Sequence, residues 1–220
     1  MLKYKITVFS LFLLTISGIS YVQASNPTLP LLGKVIYLDP GHGGLDPGAI
    51  YKDLEEEQIN LEISTKLAKS LEQLGAIVYL TRTGDYDLAV PNTINRKRSD
   101  LSRRANIINS SKCDLYLSLH LNSETSSTWK GAQVFYDDVN EKNKTIAEIM
   151  QKSLEEKVNT KRQFKEMTTI YMYQRIKQPG VLIELGFLSN PNERYLLTTN
   201  TYQKKLIDAM INGIRTYLNT

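Results

Sequence analysis

Lys34-Val35-Ile36-Tyr37-Leu38-Asp39-Pro40-Gly41-His42-Gly43-Gly44 joins a short apolar run, rich in β-branched and aromatic residues, to a glycine-rich turn that carries a histidine. A run of this kind, bounded by Pro and Gly, reads as a strand buried on both faces of an α/β sheet. The same construction recurs at Asp114-Leu115-Tyr116-Leu117-Ser118-Leu119-His120-Leu121-Asn122. His42 and His120 are the only histidines in the 220 residues. Each falls at the carboxyl end of its strand, the edge of an open α/β sheet where loops converge on a ligand crevice. Two imidazoles delivered to one edge suggest a shared metal.

Zinc in hydrolytic sites takes a carboxylate beside its imidazoles and keeps a position open for water. Glu55, Glu56 and Glu57 supply candidates at the start of a stretch whose apolar residues Ile59, Ile63, Leu67, Leu71 and Leu74 recur at three or four residues. That spacing predicts an amphipathic helix. Acidic residues in its first turn also complement the helix dipole, so spacing alone leaves the choice among the three open. Glu184 follows Val181-Leu182-Ile183 and precedes Leu185-Gly186, which places a carboxylate at the end of another buried strand. A buried carboxylate needs a partner, a raised pKa or a catalytic task. An ion pair with one of the arginines is the structural alternative.

Strands are expected near residues 34–39, 76–81, 114–120, 131–136, 168–173 and 180–184, and helices at 55–74, 97–110, 143–159 and 200–217. This alternation predicts one α/β domain, a three-layer α/β/α arrangement on a twisted, mostly parallel sheet of about six strands. Asp85–Asn95, with Pro91, reads as a mobile loop. The formal charge is +4, and Lys3 and Lys5, in a segment without acidic residues, account for two of those charges. So weak a balance gives no argument for nucleic acid, and none is expected as a partner. Arg96, Lys97, Arg98, Arg103 and Arg104 read as a solvated helix face. Cys113, the single cysteine, reads as a small apolar filler. The thirteen tyrosines scatter without a repeat and form no stacking platform.

Ile6 to Val22 is uncharged and mostly apolar, and Val22-Gln23-Ala24 has the small residues of a signal-peptidase site. Residues 1–25 are therefore expected to be a signal peptide or a membrane anchor, and 26–220 the catalytic domain. Either leader exports the catalytic part, whose only contact with the membrane would be that segment.

Asp39-Pro40-Gly41-His42-Gly43-Gly44, Asp46-Pro47-Gly48-Ala49, the Glu-rich helix start, Ser118 to Asn122 and Leu182 to Asn190 together resemble the zinc-dependent N-acetylmuramoyl-L-alanine amidases, over roughly residues 33–218. Within that family the chain is most similar to the short germination-specific, sporulation-associated type without wall-binding repeats, whose Trp129-Lys130-Gly131-Ala132-Gln133 stretch it shares. The resemblance implies zinc held by His42, Glu56 and His120, with Glu56 chosen because it stands four residues before Asn60-Leu61. It implies Glu184 as the catalytic carboxylate and peptidoglycan as substrate, cut between N-acetylmuramic acid and L-alanine, in the maturation of spore cortex through muramic lactam. It also implies work outside the cytoplasm, in the forespore intermembrane space for a sporulation enzyme, and an activating protein partner, as some relatives require. Gln174 stands where many relatives have an arginine, with Arg175 adjacent as a substitute for binding substrate. Ser118 and Asn122 share a strand face with His120 and are further candidates for orienting a ligand or contacting substrate. A peptidase cutting within the stem peptide would use the same ligands, and a non-catalytic wall-binding or scaffold protein would not need Glu184.

Overall fold

The computed structural model describes residues 29–219, so the apolar leader lies outside the described residues. Strands β1 (Val35–Pro40), β4 (Ile77–Leu80), β5 (Leu115–Asn122), β6 (Gln133–Tyr136), β7 (Lys165–Glu166) and β8 (Gly180–Phe187) form one sheet in the order β4-β1-β5-β8-β6-β7. Its pairs are parallel except β6 with β8. A two-stranded hairpin, β2 (Ile50–Tyr51) with β3 (Leu54–Glu55), precedes the helix α1 (Glu56–Gln73). The other helices are α2 (Arg96–Ser111), α3 (Asn143–Val158), α4 (Pro191–Leu197) and α5 (Asn200–Leu218).

The alternation of side chains along the strands makes the layers. Leu115, Leu117, Leu119 and Leu121 of β5, with Val181, Ile183 and Leu185 of β8, enter one core with α1, α3 and α5. Tyr116 and Leu182 face the opposite way, into a second core with Ala105 and Ile108 of α2 and Tyr173 and Ile176 beyond β7. Each fully buried Leu or Ile in these cores contributes about 1.5–3 kcal/mol. By the same alternation His120 and Glu184 emerge on the α2 side of the sheet. The chain leaves β1 through α1 to β4 on one side, then crosses back through α2 to β5 on the other. The direction reverses between β1 and β5, where a crevice opens at the carboxyl ends of the two strands.

This is the expected three-layer α/β sheet of six strands, with one strand in the wrong place. Residues 168–173 are not a strand: the sixth strand is the two-residue β7, and Tyr173–Arg175 is a 3-10 turn. The β-branched and aromatic residues there meet no neighbouring strand. Arg175 N and Ile176 N instead bond locally to Met172 O and Tyr173 O, while Met167, Met172 and Tyr173 bury themselves in the second core. Residues 85–95 form a loop as expected, but one strapped down. Asp85 accepts from Gly44 N at 2.7 Å, Leu88 N donates to Asp100 at 2.7 Å, and Arg96 grips Asp87 through two bonds of 2.8 and 2.9 Å. Cys113 is buried and free, in the second core. No helix among the described residues is long and apolar enough to cross a membrane.

Candidate active site

His42 sits at the end of β1 with φ 64°, in the left-handed region that non-glycine residues seldom occupy. Two buried arginines hold it there. Arg82 donates to Pro40 O at 3.0 Å, Gly41 O at 2.9 Å and Glu57 O at 2.8 Å. Arg104 donates to Pro40 O at 2.8 Å and His42 O at 2.6 Å. Every carbonyl from Pro40 to His42 therefore has a guanidinium donor, which satisfies backbone groups that an irregular buried turn would leave unpaired. Beneath the turn, Asp39 accepts from Thr81 at 2.6 Å, Ser118 at 2.7 Å and Arg104 at 2.9 Å. Burial pushes the Asp39 carboxyl up, but the Arg104 charge and these hydrogen bonds more than reverse this and keep it ionised.

Glu56 opens α1 and is only 4% exposed. Its Oε1 lies 3.2 Å from His42 Nε2 and 3.0 Å from His120 Nδ1, and also accepts from Leu121 N at 2.9 Å. Its Oε2 accepts from Ala49 N at 2.9 Å. The two imidazole rings meet edge to face with centroids 4.8 Å apart. The three donor atoms lie within 4.8 Å of one another. A tetrahedral ion with bonds of about 2.0–2.1 Å separates its donors by about 3.3 Å, close to both His–Glu distances. His42 Nδ1 is 3.1 Å from Asp46 Oδ2, the carboxylate–histidine arrangement that orients a metal-ligating ring. Burial lowers the proton affinity of His42, but Glu56 and Asp46 raise it further. Burial raises that of Glu56, and the hydrogen bonds and charges of His120 and His42 bring it far below the ordinary carboxylate range. Glu56 is thus held as the anion between the two rings, and two imidazoles with one carboxylate fit a divalent metal.

Of the three adjacent glutamates only Glu56 enters the cluster. Glu57 pairs with Arg82 at 3.3 Å, and Glu55 accepts from Gln58. Among the glycines of the turn, Gly41 is the position of closest approach, for a Cβ there would lie 2.2 Å from His120 Cε1. Gly41→Ala is accordingly expected to displace the His120 ring and weaken metal binding by about 10- to 100-fold, the range for changes around a ligand set. Competition against a chromophoric chelator checks this.

Glu184 pairs with His120 across β5 and β8. Its Oε2 is buried without a hydrogen-bond partner, and it makes no ion pair among the described residues. Burial, then the nearby Glu56 charge, push this carboxyl up to about 8. It faces a cavity of about 220 Å³ with His42, His120, Met172 and Tyr173.

The 36–216 segment matches the N-acetylmuramoyl-L-alanine amidase family. The chain belongs to this family. It is 43% identical to the germination-specific N-acetylmuramoyl-L-alanine amidase of Bacillus subtilis over 86% of this chain and 82% of that one. It superposes on the CwlD amidase of Clostridioides difficile, solved in complex with the GerS lipoprotein, with a TM-score of 0.81 at 38% identity, over 85% of this chain and 99% of that one. A second amidase, from Clostridium difficile 630, gives 0.77 at 28% identity, over 86% and 98%.

The amidase places the remaining sequence candidates around this centre, not in it. Ser118 is fully buried, between Asp39 and Tyr173 OH at 3.0 Å. Asn122 lies past an extra residue in β8, since His120 pairs with Glu184 but Asn122 with Phe187. Its carbonyl accepts from Leu188 N. Arg175 lies over the Tyr171 ring at 3.5 Å and donates to Tyr171 O. None of the three lines the cavity. Arg104, read from the sequence as part of a solvated face, is instead 1% exposed. The signal was present, because it shares the inward stripe of α2 with Leu101, Ala105 and Ile108, and it pairs with Asp100 one turn earlier at 2.8 Å. Asp39, Asp46, Arg82 and Tyr173 join the site through partners distant in sequence or by a loop contact, which no local pattern announces.

Proposed function

We propose that this amidase uses zinc to hydrolyse the bond joining the lactyl group of N-acetylmuramic acid to the L-alanine of the stem peptide in peptidoglycan. The observation that carries this reading is the convergence of His42, Glu56 and His120 beside an unpaired buried carboxyl, Glu184, at the sheet's switch point. His42 Nε2, His120 Nδ1 and Glu56 Oε1 would hold the ion. Zinc in such a set supplies a Lewis acid and lowers the pKa of water towards about 7. Glu184 takes a proton from the attacking water and returns it to the departing amine of L-alanine, a role open to a buried carboxyl that has no hydrogen-bond partner of its own beside the three ligands. Asp46 and Asp39 fix the imidazole and the turn, so the reacting groups are placed before substrate arrives.

The likeness to a germination-specific amidase supports a role in spore cortex, where the bared muramic acid passes to a further enzyme that forms muramic lactam. It also supports action outside the cytoplasm, in the forespore intermembrane space, with residues 1–25 as signal peptide or anchor. The solved complex of a relative with a lipoprotein supports an activating protein partner for this chain as well. Mass spectrometry of peptidoglycan digested by the purified protein, with zinc and with a chelator, tests the central reading. Zinc-dependent release of stem peptides with a free L-alanine amine is expected, and cleavage within the peptide would overturn it. Zinc content is expected to fall in Glu56→Ala and to stay unchanged in Glu55→Ala, as metal analysis of the purified variants will show.

A further inference from the structure

A second cleft, of about 600 Å³, opens where the loop before β6, the segment after α3 and helix α4 meet. Trp129, the chain's only tryptophan, forms one wall and is 49% exposed. Arg162 packs against two rings, its guanidinium carbon 4.7 Å from the Trp129 centroid and 4.8 Å from that of Phe187. Its Nε donates to Lys130 O at 3.0 Å. Lys130 and Lys161 line the same cleft. Among the described residues none of these three cations pairs with a carboxylate. Glu193, the one acidic residue of the lining, feels the charges of Arg162 and Lys130 but is in ion-pair contact with neither, and its two oxygens accept from Gly131 N and Phe187 N, both at 2.8 Å. A half-buried guanidinium packed against rings, with no carboxylate in ion-pair contact, is suited to grip an incoming carboxylate in its plane.

The cleft stands close to the reacting centre. Gln133, two residues after Gly131, pairs with Glu184 across the sheet. Phe187 follows Glu184 by three residues, at most about 10 Å of chain. The stem peptide of peptidoglycan starts at the scissile amide and carries free carboxylates, and three or four of its residues span about 10–14 Å. The glycan strand brings no comparable negative charge. On the amidase reading above, we propose that the Trp129–Arg162 cleft binds the acidic stem peptide, with Arg162, Lys130 and Lys161 pairing its carboxylates and Trp129 covering its chain.

Because the tryptophan is unique, its fluorescence reports on this cleft alone. Metal-free protein would be titrated with a free L-alanyl-γ-D-glutamyl-diamino acid tripeptide, with its carboxamide analogue and with chitotetraose. Saturable change is expected with the acidic tripeptide, weakened about 10- to 100-fold in the carboxamide analogue and in Arg162→Gln, the worth of one or two charge-assisted hydrogen bonds. The double variant Lys130→Gln/Lys161→Gln, at exposed positions, is expected to weaken binding in the same direction and serves if Arg162→Gln fails to fold by circular dichroism. In the zinc-loaded enzyme Arg162→Gln is expected to raise KM more than it lowers kcat. No response to the tripeptide, an equal response to its carboxamide, or a response to chitotetraose alone would each overturn the proposal. Cleavage between muramic acid and L-alanine without tripeptide binding would sink the cleft and spare the amidase reading; binding without that cleavage would do the reverse.

Discussion

Glu184→Gln is expected to reduce kcat by about 10²- to 10⁴-fold, the contribution of a placed general acid–base group, while zinc stays bound. The amide matches the carboxyl in shape and cannot take the proton from water. His120→Ala should differ in kind, losing activity and metal together, with an affinity loss beyond the roughly 10- to 100-fold typical of outer-shell changes. Metal analysis beside the rate measurement separates the two, and full activity in Glu184→Gln would remove Glu184 from the mechanism. The same variant should show what the site costs the fold. In metal-free protein the folded state holds the Glu184 proton to about 8, against an ordinary 4.5. Below pH 4.5 both states are protonated and nothing is lost. Between 4.5 and 8 the unfolded chain releases a proton that the folded one keeps, so stability falls as pH rises, and above 8 the penalty is complete. Its size is on the order of a few kcal/mol. Urea titrations of chelated protein at pH 5 and pH 9 should therefore show the wild type losing stability and Glu184→Gln losing less.

The legible features were those that repeat along one element. The apolar runs before His42 and His120, the period of α1 and the glycines of the turn are local patterns, and they placed both imidazoles on one sheet edge and Glu184 beside them. The choice of Glu56 came from the family's spacing, since Glu55, Glu56 and Glu57 look alike until the hairpin β2–β3 fixes where α1 begins. What escaped were groups defined by distant partners. Arg104 reads as one more charge in a basic run until Asp39, some 65 positions away, supplies its counter-charge. Residues 168–173 have a strand's composition, but both edges of β6 are taken by β8 and β7, and the segment folds over the cavity as a wall instead.

Arg104→Met is expected to be the most damaging substitution outside the metal cluster. The guanidinium bonds Asp100, Asp39, Pro40 O and His42 O at once. Its removal takes the ion-pair partner from a fully buried carboxylate and leaves two turn carbonyls with fewer donors. Breaking a buried pair from one side costs about 3–5 kcal/mol, or roughly 10 °C in Tm for a domain of this size. Lysine should rescue little, because one ammonium on a flexible stem cannot span four acceptors on two elements. The loss should be coupled to Asp39, so Asp39→Asn/Arg104→Met is expected to be less damaging than the sum of its single changes, the signature of groups in direct contact. A purely structural arginine would lower Tm and leave zinc affinity unchanged once folded. Because Arg104 bonds the carbonyl of His42 itself, in a backbone conformation that residue would not hold unaided, folded Arg104→Met should also bind zinc about 10- to 100-fold more weakly. Chelator competition well below the lowered Tm decides between them, and unchanged affinity would reduce Arg104 to a core ion pair.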